Sequence, residues 1–289
     1  MVQVKEFELK LPGNGLTIRG QRWGREGKAK VLCLHGWLDN SASFQPMMPY
    51  IDDMEMIAID LPGHGKSDHF PGSQAYQMFD YVKSVFALTE ALGWKRFNLL
   101  SHSLGACISV LMAGAFPERV LAMTLIEGLG PMSYPDKECP DRYRKHILSC
   151  EKRGRSGSPA YADQLQAARS RSEQSNVDLP SALLLVERGT RPSGGEAGIV
   201  WRTDPALRFQ SPHPLTELQL YAFLDRISCK SRLILADEGW PFDKNLMEKR
   251  VERVKGLELL WHKGSHHLHM EYPREIAGLI LNNTVFLDD

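Results

Sequence analysis

Through its first 130 residues the chain alternates short, wholly apolar runs with stretches whose apolar positions recur every three or four residues. Residues 4–11 and 17–23 alternate polar and apolar around Pro-Gly-Asn-Gly, which predicts an antiparallel hairpin. Residues 31–34 and 56–59 are apolar without interruption, as strands buried on both faces must be. Between 75 and 92, Phe79, Val82, Phe86, Leu88, Ala91 and Leu92 fall close to a 3.6-residue period, predicting an amphipathic helix that stops at Gly93. Strand 97–100, helix 104–115 and strand 120–126 follow. A βαβα order implies a mostly parallel sheet with helices on both faces, so the fold class is α/β.

The character changes at Pro131. Residues 131–214 are rich in Arg, Ser, Gly and Pro, with helices predicted at 142–153, 160–172 and 181–188 and no strand pair. The apolar content is too thin for an independent core, so this stretch is expected to be a helical lid inserted into an α/β core formed by 1–130 and 215–289. Ser-Gly-Gly-Glu at 193–196 is expected to be a surface loop. Beyond Pro214 the α/β pattern returns, with helix 216–227, strand 232–236, helix 245–254, strand 257–261 and a closing helix 273–286.

Composition narrows the class of function. Lys plus Arg equals Asp plus Glu at 35 each, so no net field draws the chain to nucleic acid or an anionic membrane, and the expected partner is a small molecule. Five cysteines without regular spacing, two of them (Cys33, Cys107) in apolar runs, fit reduced thiols and a cytoplasmic location. The N-terminal residues read as a strand rather than an export signal. Residues 97–116 lack Asp, Glu, Lys and Arg, but Asn98, Ser101, His102 and Ser103 interrupt them, and the apolar part that follows is shorter than the ~20 residues a bilayer requires. A buried strand followed by a buried helix is expected instead.

The junction of that strand and helix carries the chemistry. Ser101-His102-Ser103-Leu104-Gly105 places a serine on a sharp strand-to-helix turn, where small residues two before and two after are required because the backbone is strained. The turn lifts the Ser103 hydroxyl off the sheet, and the Leu104 amide, at the helix N-terminus, can face a developing oxyanion. A serine hydroxyl needs a base near pH 7. Residues 264–273, Gly-Ser-His-His-Leu-His-Met-Glu-Tyr-Pro, follow the last strand and supply histidines at the sheet edge where open α/β sheets place their sites. A metal cluster is not expected, since His266 and His269 have no third ligand at suitable spacing.

Four separated motifs occur in one order: Leu34-His35-Gly36-Trp37, Asp60-Leu61-Pro62-Gly63-His64-Gly65-Lys66-Ser67, Ser101 to Gly105, and His266-x-x-His269-x-Glu271-x-Pro273. In these the chain resembles the α/β-hydrolase superfamily, from about Val31 to the C-terminus. Leu-His-Gly-Trp-Leu-Asp-Asn at 34–40 and Glu-Arg-Gly-Thr at 187–190 resemble the serine hydrolase-like proteins within it. The resemblance implies Ser103 as nucleophile, His266 as general base, and the Trp37 and Leu104 amides as oxyanion hole. It implies no cofactor and no metal. His267 and His269 become packing or hydrogen-bonding neighbours, His35 a structural residue, and the Asp60–Ser67 turn a buttress.

The acid departs from the usual pattern. An Asp commonly follows the strand after the lid, but Leu235-Ala236-Asp237-Glu238-Gly239 places Gly239 where it would fall. Some α/β-hydrolases take the acid from the end of the strand before the lid, which here is Glu127 in Leu125-Ile126-Glu127-Gly128. Glu127 is preferred to Asp237, with Glu238 third. The expected activity is hydrolysis of a small, largely apolar ester through an acyl-enzyme. Thioester, lactone or carbon–carbon bond hydrolysis by the same residues remains open, as does a non-catalytic ligand-binding relative. A serine at the elbow disfavours epoxide and haloalkane hydrolysis, which use Asp there.

Overall fold

A computed structural model describes residues 3–13, 15–71, 75–151, 159–194, 198–209, 211–282 and 286. In chain order the elements are β1 (Lys5–Lys10), β2 (Thr17–Gly24), β3 (Lys30–Leu34), β4 (Glu55–Ile59), α1 (Met78–Ala91), β5 (Phe97–His102), α2 (Leu104–Ala115), β6 (Val120–Ile126), α3 (Cys139–Glu151), β7 (Ala160–Tyr161), α4 (Gln164–Ser175), α5 (Leu179–Gly189), β8 (Thr190–Pro192), β9 (Ile199–Trp201), α6 (Glu217–Leu224), β10 (Lys230–Glu238), α7 (Lys244–Arg253), β11 (Glu258–Ser265), α8 (Leu268–Glu271) and α9 (Pro273–Leu281). Short 3₁₀ helices lie at Ser41–Tyr50, Asp136–Glu138 and Pro205–Arg208.

Eight strands form one sheet in the order β1-β2-β4-β3-β5-β6-β10-β11. Only β1–β2 and β2–β4 pair antiparallel; the remaining five pairs are parallel. The inner strands β4, β5 and β6 are buried along their whole length, so their sequences are mostly apolar rather than alternating, with Asn98 and Ser101 of β5 hydrogen-bonded. Their side chains still alternate between faces. Leu32, Leu34, Ile57, Ile59 and Leu99 join α1, α2, α6 and α7 in one core layer. Val31, Cys33, Met56, Ala58 and Leu100 pack with the Ser41–Tyr50 helix, α8 and α9 in the other. Among the described residues no helix is long and apolar enough to cross a membrane.

The segment between β6 and α6 differs from expectation. Ala160 and Tyr161, read from sequence as the start of a helix, are a strand, and with β9 and β8 they make a three-stranded antiparallel sheet. Strands of two or three residues are too short to show alternation. Helix α4 begins only after Asp163, whose side chain accepts from Gln166 N at 2.8 Å, and Asp178 caps α5 in the same way on Ser181 N at 2.8 Å. Ala167, Ala168, Val177, Ala182 and Val186 form a small cluster with Tyr161, Leu183 and Trp201 against it. Residues 195–196 of the Ser-Gly-Gly-Glu stretch and 152–153 of the first expected helix lie outside the described residues. At the C-terminus α9 ends at Leu281 with Asn282 extended, short of the expected Phe286.

Candidate active site

Strand β5 runs into α2 through Ser103, whose φ is +50°. Such left-handed geometry is costly for any residue with a Cβ and persists only where the surroundings enforce it. Here Ser103 N donates to Ile126 O at 2.9 Å and Gly105 N to His35 O at 3.0 Å, tying the turn to both neighbouring strands. Gly105 is required for that approach, because a Cβ there would lie 2.7 Å from Leu34 Cβ. Ser101, in the position that commonly holds the first glycine, is accommodated by pairing its hydroxyl with Ser109 at 2.6 Å.

The loop after β11 brings His266 over the turn. Its Nε2 lies 2.9 Å from Ser103 Oγ and its Nδ1 2.9 Å from Glu127 Oε2. A carboxylate only accepts, so Nδ1 carries the proton and Nε2 is left as acceptor for the serine hydroxyl. Glu127 stands just past β6 with φ +55° and is buried. Its Oε1 accepts from Ala236 N and its Oε2 from Trp240 N, both at 2.7 Å, so the buried charge is met on three sides. Asp237 faces elsewhere, its Oδ1 accepting from Gly264 N at 2.9 Å, and so braces the loop that carries His266. Glu238 has no contact with the histidine among the described residues. Burial lowers the His266 imidazole below its ordinary pKa by more than the Glu127 carboxylate raises it, which favours the neutral base.

Of the two amides named for an oxyanion hole, Leu104 follows the serine in sequence and Trp37 lies in the loop whose His35 carbonyl accepts from Gly105 N at 3.0 Å. Leu104 N opens α2, and Trp37 N follows Gly36 in the loop after β3; neither has a protein acceptor among the described residues. That loop is held by His35, which donates from Nδ1 to Gly36 O at 2.7 Å and accepts at Nε2 from Leu61 N at 2.9 Å. Leu38, next to Trp37, is a third non-glycine residue at positive φ, +62°. The Asp60–Ser67 turn buttresses it, with Asp60 accepting from Ser41 N and Lys66 N, both at 2.8 Å.

Several parts of the site were not singled out from sequence. The Trp240 indole lies 5.5 Å from the His266 ring and is about half exposed. Beneath His266, His102 donates from Nε2 to its carbonyl at 2.8 Å. The buried Asp39 accepts from His267 Nε2 at 3.2 Å and from Arg171 of α4 at 2.7 Å. Burial alone would raise the Asp39 carboxyl, but His267, His102 and Arg171 outweigh it and hold it well below the usual range. The one local signal was the density of histidines at 266–269, and nothing in the sequence pointed to the partner of His267 at position 39.

Asp39, His102 and His267 offer ligand atoms within 4.8 Å of one another. A Cβ on Gly36 would lie 2.7 Å from His102 Nδ1 and 2.8 Å from Asp39 Oδ2, so backbone already fills the space over those atoms. Arg171 also neutralises Asp39, which weakens the pull of this cluster on a cation. His269 pairs instead with Ser43 Oγ at 2.6 Å.

This geometry can be set beside that of known proteins. A family profile for the alpha/beta hydrolase fold matches residues 30–145. A serine hydrolase-like protein of Dictyostelium discoideum is 32% identical over 276 residues, spanning 90% of this chain and 76% of its own. A serine hydrolase-like protein of Danio rerio is 29% identical over 290 residues, covering 95% and 86%. Among solved structures, a hypothetical protein from Pseudomonas aeruginosa PAO1 superimposes with a TM-score of 0.90 at 32% identity, covering 96% of this chain and 98% of that one. The strand order, the serine at the β5–α2 turn and these relatives agree, and the chain belongs to the α/β-hydrolase family.

Proposed function

We propose that the protein is a serine hydrolase that cleaves a small, largely apolar carboxylic ester through an acyl-enzyme. The observation that carries this reading is the continuous chain of contacts from Ser103 Oγ through His266 to Glu127, with both links at 2.9 Å. In the forward step His266 Nε2 takes the hydroxyl proton as Ser103 attacks the ester carbonyl. Glu127 stabilises the imidazolium that forms, and the carbonyl oxygen, now negative, is held by the Leu104 and Trp37 amides. Each such donor contributes about 3–4 kcal/mol to the transition state, aided at Leu104 by the N-terminal field of α2. His266 returns the proton to the departing alkoxide, and the same residue then activates water for deacylation.

The preference for an apolar ester rests on the half-exposed Trp240 indole beside the His266 ring. Residues 131–214 serve as the lid. Its Tyr161, Leu183 and Trp201 pack against the small apolar cluster that joins α4 and α5. Five free cysteines, with Cys33 fully buried, fit a reducing compartment.

A fluorophosphonate probe tests the assignment directly. Labelling confined to Ser103, with Ser103→Ala abolishing both labelling and p-nitrophenyl acetate turnover, is the expected result. Labelling elsewhere, or turnover that survives Ser103→Ala, would overturn it.

A further inference from the structure

A second concave site lies on the flank of the lid. A cleft of about 290 Å³ separates the small sheet from the turn after β4, and its walls include Lys66, His69, Arg191, Arg202 and Thr203. Among the described residues no carboxylate lines it, although the chain as a whole carries equal numbers of acidic and basic residues.

The convergence of charge follows from strand register. β8 and β9 pair antiparallel with Thr190 opposite Trp201 and Arg191 opposite Val200. The next step of the ladder places Arg202 opposite Gly189, whose carbonyl accepts from Arg202 N at 2.8 Å. Side chains two apart along a strand share a face, so Arg191 and Arg202 are diagonal neighbours on the same side of the sheet, at roughly 7–8 Å. Like charges so placed repel and are destabilising unless an anion lies between them.

The nearby carboxylates have partners outside the cleft, although Glu6 also meets Lys66 and Asp204 lies 3.6 Å from His69 Nδ1. Asp60 accepts from Arg188 Nε with both oxygens at 3.0 Å, and Glu6 is shared between Arg188 and Lys66. Asp204 accepts from Tyr76 Oη at 2.9 Å and Ala206 N at 2.9 Å. Neither Arg191 nor Arg202 has a carboxylate partner among the described residues. Burial, and next the charge of Arg191, lower the Arg202 guanidinium below its ordinary pKa. Arg202 is also oriented in advance: its Nε donates to Thr190 O at 2.8 Å, leaving the terminal nitrogens of the fork to face a ligand.

We propose that this cleft binds a phosphate or pyrophosphate group, held between the Arg191 and Arg202 guanidinia with Lys66 as a third cation. A planar fork matches pairs of phosphate oxygens, and two forks with an ammonium suit a multiply charged group better than a single carboxylate. The group is either a free ligand or the phosphorylated part of a substrate. Pro205, on the cleft wall, starts the 3₁₀ helix whose Leu207 carbonyl accepts from Trp37 Nε1 at 3.2 Å, so the cleft and the loop carrying one candidate oxyanion amide share a segment.

Isothermal titration of the full chain with inorganic pyrophosphate at low ionic strength tests the site without reference to catalysis. The expected result is saturable binding that weakens with added salt and falls at least tenfold in Arg191→Ala/Arg202→Ala. Arg191→Ala alone is carried alongside, in case the double variant melts early. Arg202→Lys, which keeps the charge and loses the fork, should weaken binding by an intermediate factor. In a second arm, a KM for acetyl coenzyme A raised by the double variant, with p-nitrophenyl acetate unaffected, assigns the phosphate to a substrate. Loss of pyrophosphate binding with both KM values unchanged assigns it to a free ligand. Absence of binding at millimolar pyrophosphate, or equal binding by parent and folded double variant, would overturn the proposal.

Discussion

A Cβ on Gly239 would lie 2.6 Å from the Cδ of Glu127, so the carboxylate on His266 occupies the volume that a side chain at 239 would need. The two strands that can each supply an acid to the histidine therefore exclude one another. Gly239 is where an acid after β10 would fall, and its lack of a side chain is what admits Glu127.

The first prediction follows from that exclusion. Gly239→Ala should displace the Glu127 carboxylate and lower kcat at least tenfold while Ser103 stays in place. Glu127→Gln, which keeps the shape and loses the charge on His266, should lower kcat by about 10³–10⁴-fold, the usual consequence of mis-set histidine orientation and tautomer. Asp237→Asn should stay within a few-fold of the parent, because Asp237 meets the Gly264 amide and not the imidazole. Steady-state kinetics on p-nitrophenyl acetate separate the three; an Asp237→Asn loss as large as that of Glu127→Gln would exchange their roles.

The second concerns pH. In the proposed mechanism His266 acts as a neutral base, and its pKa is lowered, chiefly by burial, so activity should be complete at pH 7 and fall only below the ordinary histidine value of about 6.5. Stability should follow the same direction. Burial lowers His64 to about 3 and also lowers His35, His102 and His269, so the unfolded chain binds protons that the folded one refuses. A depressed histidine therefore costs no stability above pH ~6.5 and destabilises progressively as the pH drops from there toward its folded pKa, by at most about 1.4 kcal/mol per pH unit per group. Urea melts at pH 7.5 and 5.5 measure this, and equal midpoints would contradict it.

The third concerns the bond from the lid to the catalytic loop. Arg171 is the cationic partner of a buried Asp39, so Arg171→Met should leave that carboxylate with His267 as its side-chain donor and cost about 3 kcal/mol of stability. Because Asp39 also holds His267, the residue next to the base, kcat should fall with KM changed less. Asp39→Asn combined with Arg171→Met should recover part of the stability, since the unpaired charge is gone. Thermal melts of the two variants decide it, and an additive double variant would contradict the coupling.

The parallel core was legible because strands buried on both faces are mostly apolar, and the Ser103 turn was legible because its strain demands small neighbours. The choice between Glu127 and Asp237 was not, since it depends on which carboxylate the packing turns toward His266; the glycine at 239 was visible, but its meaning required the neighbouring strand. The lid strands escaped notice because two or three residues carry no period, and their pairing joins positions some forty residues apart. The buried link between Asp39 and Arg171 joins positions 132 residues apart, beyond the reach of any local pattern.

Arg188, at the end of α5, grips Asp60 and Glu6 at once, whereas α3 buries none of its side chains. Such uneven anchorage ranks the order in which the lid lets go: on warming or in mild denaturant, amide hydrogens of α3 exchange first and those around the arginine clasp last. Release would thus spread from one rim across the lid rather than lifting it as a plate.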